Sequence, residues 1–137
     1  MTQDADDVMA AAVARGIANF EATTGRVPDH FRLLLDHAPG AFAGYGLLRE
    51  AAMRPPEAGG ALDLRTKELV FVLLDVMVGA VDGAKVHAGN AMRQGMTLAE
   101  LAEGLVQCIL VGGITTWNRA GRQVMEHAAA IAAGRQT

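Results

Sequence analysis

The sequence predicts an all-α fold, on three observations. No segment alternates apolar and polar residues with a period of two between turn signals, so nothing reads as a half-buried strand. β-branched residues are sparse outside a few short runs, and the apolar pattern is otherwise helical. Glycines, prolines and capping residues then divide the chain into stretches of helical length.

The first helix is expected over about Asp4 to Ala22, ahead of Thr23-Thr24-Gly25, with Gly25 as a candidate C-terminal cap. Val27-Pro28 opens a second, roughly Asp29 to His37, closed by Pro39 because a proline pushes the residue before it out of helical conformation. A third runs from about Gly40 to Met53. Arg54-Pro55-Pro56-Glu57-Ala58-Gly59-Gly60 is the clearest loop. It sets off the first third of the chain, which alone is too short to bury a core, so residues 1–137 are read as one domain. Asp63 caps a fourth helix, about Leu64 to Val78, and Gly79 breaks it. Asp82 is read as the N-cap of a fifth, which continues through His87 to about Gln94 and stops at Gly95. Thr97-Leu98-Ala99-Glu100 has the capping-box pattern and starts a sixth helix, Leu98 to about Val111. Gly112-Gly113 interrupts it, and a last helix follows from about Thr115 to Ala133.

The 137 residues can bury a real core. Hydrophobic residues make up 51%, and the mean hydropathy is +0.21. That is apolar for a soluble monomer of this size, and much of it is Ala and Gly, which let helices approach closely. The excess is read as subunit interface rather than membrane. The apolar runs Leu69–Leu74, continuing to Val81, and Cys108–Thr116 fall short of the roughly 18–20 residues a bilayer span needs, and Asp75 interrupts the first. The acidic start Met-Thr-Gln-Asp-Ala-Asp-Asp is the opposite of a signal peptide's basic region, so the cytoplasm is the expected compartment. A net charge of -3 with no basic stripe argues against a nucleic-acid partner. Cys108 stands alone in Leu105-Val106-Gln107-Cys108-Ile109-Leu110-Val111, so no intrachain disulfide can form and a buried structural thiol is expected.

Glu68 and His87 are the most informative residues. Histidine is the natural proton carrier near neutral pH, although His87 could instead tie helices together by hydrogen bonds. Glu68, near the start of the fourth helix, gains from the helix N-terminus. It reads as a general base or as the partner that orients His87, and more plainly as a surface glutamate in a salt bridge. Asp82 can be a cap, an acid at a pocket edge, or both. Asp75 lies seven residues after Glu68 and so on nearly the same helix face. Burying an unpaired carboxylate is costly, so Asp75 should be exposed, paired across subunits, or a second acid in the site. Arg119 or Arg122, just after Trp117, could bind a substrate carboxylate with the planar guanidinium fork, or be surface arginines. No HExxH, Cys/His cluster or close His pair occurs; His30 and His37 share a face without a carboxylate at ligand spacing. Glu68 and His87 with Asp75 or Asp82 form the one conceivable metal set, and neither a metal nor a cofactor is expected. Gly59-Gly60 lacks the Lys-Ser/Thr of a phosphate loop.

The segment from Glu68 to His87 resembles the signature of the carboxymuconolactone decarboxylase / alkylhydroperoxidase D-like superfamily: a Glu, eleven residues, Cys-x-x-Cys, three residues and a His. Here the Glu and the His keep their places, while Ala80 and Gly83 stand at the cysteine positions, with Asp82 between them. Gly95-Met96-Thr97-Leu98-Ala99-Glu100 is similar to the family's G-x-t-x-x-E. Val111-Gly112-Gly113-Ile114 is similar to its glycine-bearing turn, with Thr115-Thr116 where Pro-Ala is usual. Gly25-Arg26-Val27-Pro28 and His37-Ala38-Pro39 are similar to its leader. The resemblance covers most of Gly25 to Ala130. It implies the alkylhydroperoxidase D-like helical bundle, a homo-trimer or homo-hexamer, and a site that Glu68 faces. With no thiol at 80 or 83, and no resolving partner for Cys108, it implies proton transfer in place of thiol peroxidase chemistry. The expected function is a decarboxylase-like lyase of small carboxylated lactones or related acids in aromatic-compound catabolism. His87 would move the proton, Glu68 would set its charge, Asp82 would be a further acid, and Arg119, Arg122 and Trp117 would meet the small-molecule substrate. A non-redox hydrolase or isomerase, and a non-catalytic oligomeric binding protein, stay open as alternatives.

Overall fold

The computed structural model describes residues 2–134, which form helices and turns with no strand among them. They make two compact units, one ending at Arg54 and the other beginning at Pro55. The boundary falls in the predicted loop, where two prolines remove helix donors and only a short 3-10 turn, Pro56–Ala58, forms.

The first unit holds α1 (Gln3–Thr24), α2 (Asp29–His37) and α3 (Pro39–Ala52). Gly25, at φ 79°, closes α1 as the sequence predicts. α1 and α3 cross at Gly16 and Gly46, where a Cβ on Gly46 would stand 2.6 Å from Gly16 Cα. Phe20, Val27 and Phe42 are buried beside that crossing, with the Phe20 ring 5.8 Å from Phe42 and 4.7 Å from Phe31. The expectation that this third is too short to bury a core is therefore corrected. Aromatic side chains bury enough area each for a small one to form.

The second unit contains α4 (Leu64–Val78), α5 (Val81–Arg93) and α6 (Leu98–Gly112). A last helical run then joins α7 (Ile114–Thr116), a π-helical segment (Trp117–Gly121) and α8 (Arg122–Ala132). Asp63 accepts the Thr66 N–H at 2.8 Å and Gly79 ends α4 at φ 80°, both where the sequence puts them. Alanines 84, 88 and 91 of α5 are fully buried, which brings α5 close to its neighbours. Val72, Val76, Leu101, Leu105 and Val124 complete the centre of the core.

Two predicted boundaries differ. α5 starts at Val81 with Ala80 as its N-cap, so Asp82 is not the cap but an exposed residue of the first turn. The reason is local: the Ala80 N–H bonds the Asp75 carbonyl at 2.8 Å, swinging the chain out of α4 and into the next helix within two residues. Asp82 still stands where an acid favours a helix N-terminus. The last helix widens into the π segment, in which the Trp117 ring lies against buried Gly121.

The capping box is complete. The Thr97 hydroxyl accepts the Glu100 N–H, and the Glu100 carboxylate accepts the Thr97 N–H at 2.8 Å. Those Thr97 bonds hold the Glu100 carboxyl below its ordinary value. A lowered carboxyl stabilises the fold above the unfolded glutamate value, and this contribution is lost as pH falls through the folded one. Thr97→Ala is expected to lower stability by about 1 kcal/mol at neutral pH. The difference from the wild type should narrow in acid, as read by urea denaturation at both pH values.

Leu110 is 80% exposed and Val78 and Val111 each 78%, alongside Leu74 and Val106. A groove of about 390 Å3 runs between α4 and α6, lined by Leu73, Leu74, Met77, Gln107, Cys108 and Val111. No helix among the described residues is long and apolar enough to cross a membrane.

Candidate functional site

Gly79 sets the register of the site. α4 and α5 fold back on each other across Gly79 and Ala80, so residues equidistant from Gly79 face one another. Asp75 meets Gly83 at four residues, Phe71 meets His87 at eight, and Glu68 meets Asn90 at eleven.

Glu68 is the fifth residue of α4 and only 5% exposed. It is not the surface glutamate of the plainer reading. It lies past the reach of the helix N-terminus, and its carboxylate is held by α5. His87 Nδ1 stands 2.6 Å from Glu68 Oε2. A carboxylate offers only acceptors, so Nδ1 carries the hydrogen and donates it, and in the neutral ring Nε2 keeps its lone pair. Asn90 Nδ2 donates to Glu68 Oε1 at 3.3 Å, and Arg93 Nη2 donates to Asn90 Oδ1. The Phe71 ring stacks on the imidazole at 4.6 Å and 14°. The imidazole is thus fixed along one edge and across one face.

The His87 side chain is 17% exposed. Among the described residues no buried side-chain nitrogen or oxygen lacks a partner. Nε2, which bonds to no described residue, therefore lies at the accessible edge. With Nδ1 engaged and Nε2 bonded to no described residue, His87 holds one ring nitrogen in place and leaves the other toward solvent, an arrangement compatible with a general acid or base.

Asp75 is half-buried. Burial pushes its carboxyl above the ordinary aspartate value, and the nearby His87 pulls it partly back. The guanidinium of exposed Arg119 lies over the α4–α5 turn, with its Cζ, Nε and Nη2 each 3.8 Å from where a Cβ on Gly79 would be. The carbonyls ending α4 favour a cation there. Arg122 is engaged on its own helix, donating to the Asn118 carbonyl at 2.9 Å and pairing with Glu126 at 3.3 Å. Trp117 is half-buried against the core. Asp82 precedes His87 by five residues and so lies off its helix face.

The structure therefore brings Glu68 and His87 together, sets Asp75 on the same seam, and places Arg119 at the end of that seam. Phe71, Asn90 and Arg93 were missed by sequence reasoning. Two signals mark them: equal distance from Gly79, and the three-residue steps from His87 to Asn90 to Arg93 along one helix face.

A cavity of about 550 Å3 lies on the α6 side of α4, lined by residues that include Asp63, Arg65, Thr66, Leu69, Glu100 and Gly104. It contains neither Glu68 nor His87, and its Arg65 and Glu100 are ion-paired with each other. The Glu68–His87 pair belongs to the α4–α5 seam. Among the described residues no group of three or more His, Cys, Asp or Glu could hold a metal ion, so the set imagined from Glu68, His87 and a third acid does not assemble. Cys108 is buried, its thiol donates to the Leu73 carbonyl at 3.5 Å, and burial pushes its ionisation up, the opposite of a reactive thiol.

The carboxymuconolactone decarboxylase family model matches residues 39–127. A crystal structure from Burkholderia xenovorans LB400, named as a candidate carboxymuconolactone decarboxylase, resembles the chain with a TM-score of 0.83 at 28% identity. The match covers 94% of this chain and 99% of that one. No curated protein matches.

Proposed function

We propose that this chain, which belongs to the carboxymuconolactone decarboxylase family, is a carboxy-lyase of small carboxylated lactones or related acids from aromatic-compound catabolism. The Glu68–His87 pair carries the reading: Nδ1 is held at 2.6 Å and Nε2 lies at the accessible edge. The names of the family and of the Burkholderia protein support the substrate class.

In a vinylogous β-keto-type acid the bond to the carboxylate breaks and carbon dioxide leaves. The electron pair passes into the conjugated carbonyl, and a carbon of the resulting dienolate takes a proton. No electrons are gained or lost overall, so no thiol is needed. His87 brings that proton in from solvent through Nε2, and the Glu68 carboxylate stabilises the imidazolium while it exists. Arg119 supplies a cation for a retained carboxylate or the developing enolate oxygen.

The family match runs across the boundary between Arg54 and Pro55, which supports treating both units as one domain. Exposed Val78, Leu110 and Val111 support assembly as a homo-oligomer, a trimer or hexamer by family resemblance, because large exposed apolar patches mark interaction sites. A small-molecule substrate and a cytoplasmic location complete the proposal.

The test is consumption of carboxymuconolactone followed by ultraviolet absorbance, beside a peroxide assay with dihydrolipoamide. Lactone turnover with release of carbon dioxide, and no thiol-dependent peroxide reduction, is the expected result. An intact protein that leaves the lactone untouched would sink the lyase reading in favour of an isomerase or hydrolase. Peroxide turnover abolished by Cys108→Ala would overturn the non-redox reading itself.

A further inference from the structure

We propose that Asp75 is a second proton-transfer residue of this site, its carboxylate lying in the space that glycine leaves open at position 83. The inference rests on the α4–α5 seam being the active site. A Cβ on Gly83 would stand 2.7 Å from Asp75 Oδ2, 3.4 Å from Cγ and 3.9 Å from Oδ1. The carboxylate is thus turned into the seam, against the α5 backbone. Gly83 does not have a positive φ, so conformation does not demand glycine there. A glycine inside a helix weakens it relative to alanine, and the room it leaves is the physical return.

Asp75 hydrogen-bonds through its side chain to no described residue, and among the described residues no buried side-chain oxygen is unsatisfied, so its oxygens are open to solvent and within reach of a ligand. Gly83 and His87 are four residues apart, on one face of α5. Asp75 therefore lies about one helical turn, roughly 5.4 Å, along the seam from the imidazole, a span that a small ring can bridge. The ionisable group that acts on it is His87 from α5; Glu68 lies two turns back on its own helix, paired with His87, and Arg119 lies over Gly79 at the turn.

Two proton-active groups in different surroundings divide the work. Asp75, whose carboxyl burial pushes above the ordinary aspartate value while His87 pulls it partly back, acts as the acid from its protonated form. As carbon dioxide leaves and the electron pair enters the conjugated system, the Asp75 O–H bond breaks and its proton forms the new C–H bond. Asp75 is left as carboxylate, and His87, protonated from water at Nε2, returns a proton to it through a water that bridges the two. Atoms and charge balance over the cycle.

Two readouts on the full chain test this. In a carbon-13 carboxyl titration, Asp75 should titrate above the ordinary aspartate range. It should titrate higher still in His87→Ala, which removes the interaction that lowers it, and closer to the ordinary value in Gly83→Ala, which drives the carboxylate out. An Asp75 that titrates like an exposed aspartate, unmoved by either change, overturns the proposal. With carboxymuconolactone as the probe, Asp75→Asn, which keeps the shape of the side chain, should lower kcat by a factor of about a hundred to ten thousand with little change in KM. Gly83→Ala should lower it in the same direction. Full kcat in Asp75→Asn overturns the role even if His87→Ala is inactive. If the wild type does not act on the lactone, the lyase reading fails, and the titration decides Asp75 by itself.

Discussion

His87→Ala is expected to lower kcat/KM for the lactone by a factor of about a hundred to ten thousand, the usual worth of a positioned acid or base. The loss should fall mainly on kcat, because His87 supplies the proton that reaches the reacting carbon and the imidazole edge offers little binding area. Glu68→Gln should cost less, about 10–100-fold, as removal of an imidazole's orienting partner does. Glutamine can still accept the Nδ1 hydrogen and still lies beside Asn90. It cannot stabilise an imidazolium with charge. Steady-state kinetics on both variants checks the order. A larger loss in Glu68→Gln than in His87→Ala would mean that Glu68 holds the site together and does not act only through His87.

The second large effect is on stability. Phe42→Ala is expected to cost about 3–5 kcal/mol. Phe42 is 0% exposed, it stacks at 5.8 Å on Phe20, and its Cε1 would stand 3.0 Å from a Cβ on Gly16. The α1–α3 crossing is already in backbone contact at Gly16 and Gly46, so the helices cannot move closer to fill the hole. Domains of this kind are stable by about 5–15 kcal/mol in total, so the variant should lie near the edge of folding. Urea denaturation followed by circular dichroism checks it, and a loss under 1 kcal/mol would show that the aromatic cluster is dispensable.

The helix ends that were legible in the sequence are those set by a local chemical signal. Asp63, Gly79 and the Thr97–Glu100 box each satisfy backbone groups within four residues, and α4 begins and ends where they stand. Asp82 misled because a good capping residue was present where no cap was needed. The Ala80 N–H closes on the Asp75 carbonyl and starts α5 two residues earlier than Asp82 would. The π segment from Trp117 to Gly121 answers to packing around Gly121, which no local pattern records. The pairing of Glu68 with His87 was legible through family spacing. The places of Asn90, Phe71 and Asp75 were legible only through the two-residue turn, which makes Gly79 the point about which both helices are matched. The burial of Glu68 came from α5 and could not be read from α4 alone.

The central claim is that the α4–α5 seam moves a proton to carbon by way of His87. Running the lactone reaction in deuterium oxide and weighing the product tests it most directly. The wild type should yield product carrying one new deuterium at a single carbon in one configuration, and His87→Ala should form that product at a rate lower by the factor given above. Labelled product formed at the wild-type rate by His87→Ala, or product from the wild type with the label scrambled between configurations, would contradict the account.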